Sequence, residues 1–234
     1  MKRIFCLMSL CVLATYFYSC NVDDGYETPD NFEEQPLPPV DNTPKINGYE
    51  YVDLGLSVLW ATHNVGAKNK WRYGGYYSWG EIEEKSYYSK DTYDYYKNGS
   101  YVNIGTNISG TRYDVAKMKW GDPWRLPTEA EVRELVEKCS CVVCIQGHGD
   151  ANGYEEVVCA EFTGPNGNKI ILPLSGSIIY NATDKKKQEG CYMTGSNTGR
   201  SYIYTLEVGS DCYVSSMGIR YKGYSVRPVA QKNF

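Results

Sequence analysis

The sequence predicts an α+β domain in which two short helices precede a strand-rich second half. A capping box opens the better-defined helix, because Thr128 can cap it and Glu131, three residues later, can return the hydrogen bond. Beyond that helix, turn signals rich in Asn, Gly and Pro divide the chain into short apolar runs that are typical of strands. The 23 tyrosines among 234 residues agree with this prediction, since tyrosine favours strands.

The first half of the domain predicts one strand and much loop. Apolar residues recur at every second position, the period of a half-buried strand, at Val52, Leu54, Leu56, Val58 and Trp60. The interleaved glycines and aromatics from Tyr73 to Gly80 indicate a turn that leads into a short strand. Residues 86–105 are polar and rich in tyrosine, which predicts a loop.

Two helices are expected next. The first covers Tyr113–Trp120, with Thr111 or Asp114 near its start. The second follows Thr128, and its buried stripe at helical spacing consists of Val132, Leu135, Val136 and Cys139.

Short strands fill the second half. Asn152-Gly153 and the turn at 164–168 bracket Tyr154–Phe162, and Lys169–Leu174 runs back, which predicts a hairpin. Further strands are expected at Cys191–Thr194, Tyr202–Val208, Cys212–Ser215 and Tyr224–Val229.

The N-terminus predicts export. Lys2 and Arg3 precede an apolar run of roughly 15 residues, whereas a membrane-spanning helix needs about 20. We therefore predict a signal peptide over residues 1–19. The string Phe17–Cys20 resembles the lipobox of bacterial lipoproteins, which would make Cys20 the lipidated first residue of the mature chain. The alternative is an ordinary cleaved signal that leaves Cys20 as a thiol.

Residues 20–47 predict a spacer and residues 48–234 a single domain. From Cys20 to Pro44 the chain has no Lys or Arg, few apolar residues and five prolines, so it cannot offset its ordering entropy by burial. Asp23 and Asp24 resemble the surface-export signal of Bacteroidetes lipoproteins, although simple linker solubility also explains them. The remainder is long enough for one core.

Charge excludes some partners. Loss of residues 1–19 moves the formal net charge from −4 to −6. A mildly acidic chain without a basic stripe argues against nucleic acid and against electrostatic adhesion to anionic lipid. Contact with a membrane is therefore expected only through the lipid anchor.

The domain cysteines predict disulfides or inert thiols, and the sequence does not fix their pairing; they are Cys139, Cys141, Cys144, Cys159, Cys191 and Cys212. The spacing of the first three also fits a zinc site, but exported proteins more often oxidise or bury such residues. We predict no metal and no cofactor. His63 and His148 have no evident Ser or Cys partner for catalysis.

The string Trp124–Glu131 resembles the "RLPTEAEW" signature of the formylglycine-generating-enzyme (sulfatase-modifying factor) group within the C-type-lectin-like fold. The order of the surrounding strings, over residues 50–230, resembles a domain of Bacteroidetes surface lipoproteins related to the Fibrobacter succinogenes major paralogous domain. Those strings are Asp53–Val58, Trp60–Thr62, Asn64–Ala67, Tyr73-Gly74, Tyr77–Glu81, Gly164–Leu174 and Gly223–Val229.

The resemblance implies a mixed fold with much irregular loop, whose C-terminal part binds ligands in many relatives. The enzyme of this fold uses two cysteines close together near its C-terminus. Cys191 and Cys212 lie far apart here and in another context, so formylglycine-generating activity is not expected.

Tyrosine rings stack on sugars and add a hydroxyl at low entropy cost, which favours a non-catalytic module that binds a glycan or a protein at the outer membrane surface. The alternatives are an accessory subunit of an envelope assembly and, less favoured, an unrecognised hydrolase.

The candidate ligand-binding residues are Tyr76, Tyr77, Trp79, Tyr87, Tyr88, Tyr202, Tyr204, Tyr213, Arg220 and Tyr221. The C-terminal tyrosines, Tyr202, Tyr204, Tyr213 and Tyr221, can equally be core or strand residues. Trp60, Trp120 and Trp124 are assigned to the core, and Arg227 to a structural hydrogen-bond network.

Overall fold

The computed structural model describes residues 43–150, 153–199 and 201–232. The predicted signal peptide, Cys20 and nearly all of the predicted spacer lie outside these residues, as do the side chain of His148 and the turn at Asn152. In the part of the chain that is described, no helix has the length and apolar character that crossing a membrane requires.

Two helices and fourteen strands make up the described chain. The helices are α1 (Val115–Trp120) and α2 (Glu129–Lys138). The strands, in chain order, are β1 (Lys45–Ile46), β2 (Tyr49–Asp53), β3 (Val58–Ala61), β4 (Tyr96–Lys97), β5 (Ser100–Tyr101), β6 (Ser140–Asp150), β7 (Gly153–Thr163), β8 (Lys169–Pro173), β9 (Ser177–Ile179), β10 (Ala182–Asp184), β11 (Gly190–Asn197), β12 (Tyr202–Val208), β13 (Cys212–Ile219) and β14 (Val229–Gln231).

The strands pair antiparallel in several small sheets. The largest has the order β1-β2-β3-β14, so the C-terminal strand closes onto the N-terminal hairpin. Two three-stranded sheets, β6-β7-β8 and β11-β12-β13, follow the helices, and β4-β5 and β9-β10 are short hairpins. The predicted class, a strand-rich α+β domain with two short helices, is confirmed.

Both helices begin where side chains satisfy their free N–H groups. The carboxylate of Asp114 accepts hydrogen bonds from the backbone N–H groups of Ala116 and Lys117, so α1 starts directly after it. Asp114 itself is extended at φ −92°, which explains why the helix begins two residues later than predicted.

The capping box of α2 forms as predicted. The hydroxyl of Thr128 accepts from the Glu131 N–H at 3.3 Å, and the Glu131 carboxylate accepts from the Thr128 N–H at 2.8 Å. Arg125 adds a forked ion pair to the same carboxylate at 2.8 and 2.5 Å. Burial alone would raise the pKa of Glu131, but the bonds from Arg125 and Thr128 outweigh it and lower that pKa.

We expect Glu131→Gln to lower the free energy of unfolding at pH 7 by about 2 kcal/mol, because it removes the charge-assisted bonds. Since the folded-state pKa lies below the ordinary value of 4.5, this stabilisation is present above pH 4.5 and is lost as pH falls through the folded pKa. Urea midpoints at pH 7, 4 and 3 test this expectation. The wild type should lose more stability on acidification than the variant does, and Glu137→Gln, exposed on the same helix, should follow the wild type.

The predicted strand through Val52–Trp60 is wrong. A turn separates β2 from β3, because Gly55 has φ +77° and Asp53 Oδ1 accepts from its N–H at 2.8 Å. Leu54 and Leu56 are nevertheless buried, with exposed fractions of 0% and 3%. The alternation of apolar residues therefore reflects the burial of side chains in this turn and not a continuous strand.

Two other expectations also need correction. The segment from Tyr73 to Gly80 contains a single β-bridge, Tyr77 with Tyr224, and no strand. Tyr224–Val229 is no regular strand either, because its backbone bonds are divided between different neighbours: Tyr77 pairs with Tyr224, and Tyr192 pairs with Ser225. Strand structure begins only at Val229.

The remaining strand predictions agree better with the structure. The hairpin of β7 and β8 is present, and β11, β12 and β13 contain the three strands expected between Cys191 and Ser215. The 86–105 loop is present and holds only the small β4–β5 hairpin. The long strand β6 was not predicted, because its cysteines were considered only as disulfide partners, free thiols or zinc ligands.

The core assignments are confirmed. Trp60, Trp120 and Trp124 are buried, and Val132 and Leu135 of the α2 stripe belong to one apolar cluster that also contains Trp60 of β3 and Tyr192 of β11.

Arg227 is the polar centre of this core, as predicted. It is 1% exposed, and its Nε donates to Asn64 Oδ1 at 2.8 Å. Its Nη atoms donate to the carbonyl oxygens of Ala61 at 3.0 Å, Thr62 at 2.8 Å and Ile171 at 3.0 Å. Burial lowers the pKa of Arg227 to about 10, so the guanidinium remains charged at neutral pH. It ties β3, the following loop and β8 together.

The cysteines divide between one disulfide and free thiols, both of which the sequence predicts. Cys141 of β6 is bonded to Cys212 of β13 across 71 residues of sequence. The free thiols are Cys139, Cys144, Cys159 and Cys191. Because Cys141 is bonded elsewhere, the alternative zinc site at the end of α2 loses one of its three thiolates.

Candidate functional site

The predicted ligand-binding residues differ in how deeply they are buried. Tyr77, Trp79 and Tyr88 are 2%, 0% and 2% exposed, so these rings are core residues and offer no face for stacking. Their polar groups are also used inside the protein, since the Tyr88 hydroxyl donates to the Tyr76 carbonyl at 2.6 Å. For these three the expected ligand role is corrected to a structural one.

The other tyrosines of the prediction do not converge on one surface. Tyr76, Tyr204 and Tyr221 are half-buried, and the Tyr76 hydroxyl donates to the Ser175 carbonyl at 2.6 Å. The exposed rings are those of Tyr87, Tyr202 and Tyr213. Tyr202 begins β12 and pairs with the end of β13, whereas Tyr213 lies at the opposite end of that pair.

A cavity of about 640 Å³ lies between the β4–β5 hairpin, the loop at 103–106 and the turn after β11. This volume falls in the usual range of small-molecule sites. Its lining includes Lys90, Tyr96, Tyr101, Asn103, Asn197 and Arg220. Of the predicted residues, only Arg220 lines it.

The local sequence builds the aromatic wall of this cavity. Asn98 and Gly99 have φ +51° and +78°, which joins β4 to β5 by a tight two-residue turn. Tyr96 and Tyr101 are therefore directly opposite one another, with ring centroids 5.1 Å apart at 66°. Cross-strand neighbours share one face of a hairpin, so both rings border the same space.

Arg220 forms the floor of the cavity and is 3% exposed. Its guanidinium lies 4.5 Å from the centroid of the buried Trp79 ring and 5.5 Å from that of Tyr101. One Nη donates to the Gly199 carbonyl at 2.8 Å and the other lies 3.5 Å from the Val102 carbonyl. Nε has no hydrogen-bond partner within the described chain. Burial lowers the pKa of Arg220.

Lys90 supplies a second cation at the rim. Its Nζ lies 4.3 Å from the Tyr96 ring centroid and 5.9 Å from that of Tyr101. The hydrogen bond with Tyr96 raises the pKa of Lys90. Across residues 43–150, 153–199 and 201–232, neither Lys90 nor Arg220 forms an ion pair with a carboxylate. The cavity is thus a local positive region in a chain of net charge −4.

Sequence reasoning missed Lys90, Tyr96 and Tyr101 as site residues. The signal that could have found the two rings is the Asn98-Gly99 dipeptide between tyrosine-containing segments, because Asn-Gly is a strong hairpin signal. No local pattern marks Lys90, whose place at the rim depends on how the loop folds over the hairpin.

A second cluster carries potential metal ligands. The ligating atoms of Glu189, Cys191 and Glu207 lie within 4.8 Å of one another, beside a cavity of about 210 Å³. Burial and the neighbouring Glu207 raise the pKa of Cys191, so the thiol is protonated at neutral pH. The Glu207 carboxylate already accepts from Thr205 Oγ1 at 2.7 Å and that of Glu189 from Lys185 Nζ at 2.8 Å, and we assign no site here.

No protein-family model, no curated protein and no solved structure matches this chain.

Proposed function

We propose that this protein is a non-catalytic binding module that recognises a glycan or a protein ligand through aromatic-rich loops. The supporting observation is the cavity, which combines two tyrosine rings with two cations that form no ion pair with a carboxylate of the described residues. Such a mixture of apolar faces and a few converging polar groups is typical of ligand sites. We further propose that the module is anchored through a lipid on Cys20 and displayed at the outer membrane surface.

The proposed fold family is C-type-lectin-like, within a lineage of Bacteroidetes surface lipoproteins. The strand-rich α+β architecture supports this, as does the role of the Trp124–Glu131 string. There Trp124 is buried, Arg125 pairs with Glu131 and Thr128 caps α2, which explains why such a string would be retained as a structural signature.

An enzymatic role of the formylglycine-generating kind is not part of the proposal. Cys212 is bonded to Cys141, and Cys191 is a buried free thiol. The two cysteines nearest the C-terminus therefore do not act as a pair with each other.

The accessory-subunit alternative has one observation in its favour. The edge strand β6 exposes Val142, Val143 and Ile145 by 60%, 40% and 65%. An exposed apolar edge strand is a common site of protein association.

A glycan array with the purified full chain separates these roles. We expect binding, and we expect Tyr96→Ala to weaken it about two- to tenfold, because one stacking ring is lost. Tyr213→Ala, which removes an exposed ring outside the cavity, should bind as the wild type does. Absence of glycan binding, together with an envelope protein that co-purifies and is released by Ile145→Asp, would favour the accessory role.

The anchor has its own test. Cells fed a clickable palmitate analogue should label the mature wild-type chain, and Cys20→Ala should remove the label. Label that persists in the variant would reject lipidation at Cys20.

A further inference from the structure

The donors of Arg220 are not all used by the protein. A guanidinium carries five N–H groups, and the described chain supplies Arg220 with two backbone carbonyls and no partner for Nε. A buried charge without a counter-ion is costly. The face of Trp79 offsets part of that cost through a cation–π contact.

Arg227 is the comparison for Arg220, because its guanidinium has a structural role and its donors are used within the protein. Its Nε and both Nη atoms donate to Asn64 and backbone oxygens in the core. Arg220 differs on two counts, since it lines the cavity and its Nε has no partner in the part of the chain that is described.

The second cation lies near the same aromatic ring. Lys90 and Arg220 both approach the Tyr101 ring within 6 Å. The buried carboxylate Glu81 accepts through Oε1 from Lys85 Nζ at 2.5 Å and from the Asp94 N–H at 2.7 Å, whereas its Oε2 has no partner among the described residues. Glu81 lines a different cavity together with Lys85, and its ion pair is with Lys85.

We infer that the cavity binds an acidic oligosaccharide, whose carboxylate or sulfate ester accepts hydrogen bonds from Arg220 while a sugar ring lies against Tyr96 and Tyr101. This inference rests on the proposed binding function and names the class of its ligand. Lys90 contributes a second, solvent-exposed charge to the same anionic group.

The cavity walls favour a sugar over an acidic peptide. The hydroxyl-bearing residues Ser100, Thr106 and Ser201 line the cavity beside the two rings. Hydroxyl groups and aromatic faces together suit a ring that has polar edges and an apolar face.

The test uses the purified full chain and titration calorimetry. The probes are oligogalacturonate, its fully methyl-esterified form, a dextran sulfate oligosaccharide, the matching unsulfated dextran oligosaccharide, and polyglutamate. We expect at least one of the two acidic oligosaccharides to bind, the neutral partner of that probe to bind at least tenfold more weakly, and affinity to fall as salt rises. Comparison of the two acidic probes identifies carboxylate or sulfate as the anion.

Variants connect binding to the named groups. Arg220→Gln should weaken binding of the acidic probe about tenfold to a hundredfold, since a charge-assisted bond is lost. Lys90→Gln should weaken binding of the acidic probe about two- to fivefold. Because Lys90 is exposed, its replacement leaves the packing of the core unchanged. The matched control is Lys186→Gln, since Lys186 lies 4.5 Å from the Tyr73 ring centroid outside the cavity; it should bind as the wild type does.

Each of the remaining outcomes contradicts one stated part of the proposal. Equal binding of acidic and neutral oligosaccharides, or a folded Arg220→Gln variant with wild-type affinity, overturns the inference but leaves the binding function standing. Binding of polyglutamate alone overturns the sugar class. Absence of binding to every oligosaccharide, charged or neutral, contradicts the proposed glycan recognition itself.

Discussion

Replacement of Arg227 by alanine is expected to lower the free energy of unfolding by about 3–5 kcal/mol, because its partners remain buried without a donor. The side chain donates to Asn64 and to the carbonyl oxygens of Ala61, Thr62 and Ile171. None of these oxygens can recover water in a core where Arg227 itself is 1% exposed. The variant also leaves a cavity, which adds to the loss.

Urea denaturation followed by tryptophan fluorescence measures this loss. The matched control is Arg133→Ala, which removes an exposed arginine that pairs with Glu129 on the surface of α2. Its unfolding midpoint should stay close to that of the wild type. If the two arginine variants were equally stable, the assignment of Arg227 as the polar centre of the core would be wrong.

Reduction of the Cys141–Cys212 disulfide is expected to produce the next largest effect. The bond closes a loop of 71 residues of sequence, and loop-closure entropy then predicts a stabilisation of about 4 kcal/mol. For a domain of this size that corresponds to a fall in Tm of about 10 °C. Calorimetric scans with and without a phosphine reductant measure the shift.

The double variant Cys141→Ala/Cys212→Ala provides the control. It should melt near the reduced wild type, and reductant should not change its Tm further, since Cys139, Cys144, Cys159 and Cys191 form no disulfide with any described residue. A wild-type Tm that is unchanged after mass spectrometry has verified reduction would show that this disulfide does not stabilise the fold.

Features that are determined by residues close together in the sequence were predictable. The capping box at Thr128 and Glu131 formed because both partners lie within one turn of chain. The turn at 164–168 and strand β12 were found for the same reason. Burial of Trp60 and Trp124 followed from their apolar surroundings.

Features set by distant neighbours were not predictable. The alternation from Val52 to Trp60 describes a strand, yet Gly55 and the amides of Asn166 and Asn168, which donate to the Asp53 carbonyl at 2.9 and 2.8 Å, hold a turn there. The closing segment at Tyr224 fails as a strand because its partners come from several parts of the chain.

The candidate site shows the same division. Arg220 was predicted by residue type and position, but Trp79 and Tyr88 resemble exposed loop aromatics in sequence and are core residues in space. Composition gives the number of tyrosines, whereas the fold decides which rings border a cavity. Lys90 joined the site only through packing of its loop beside Tyr96 and Tyr101.

Hydroxyl-radical footprinting of the full chain, with and without the acidic oligosaccharide that binds, measures directly which rings a ligand covers. Occupation of the cavity predicts protection of Tyr96 and Tyr101, while Tyr87 and Tyr213, exposed by 46% and 52%, react as before and serve as internal controls. Protection at Tyr213 with none at Tyr96 and Tyr101 would place the ligand elsewhere and contradict recognition through Arg220.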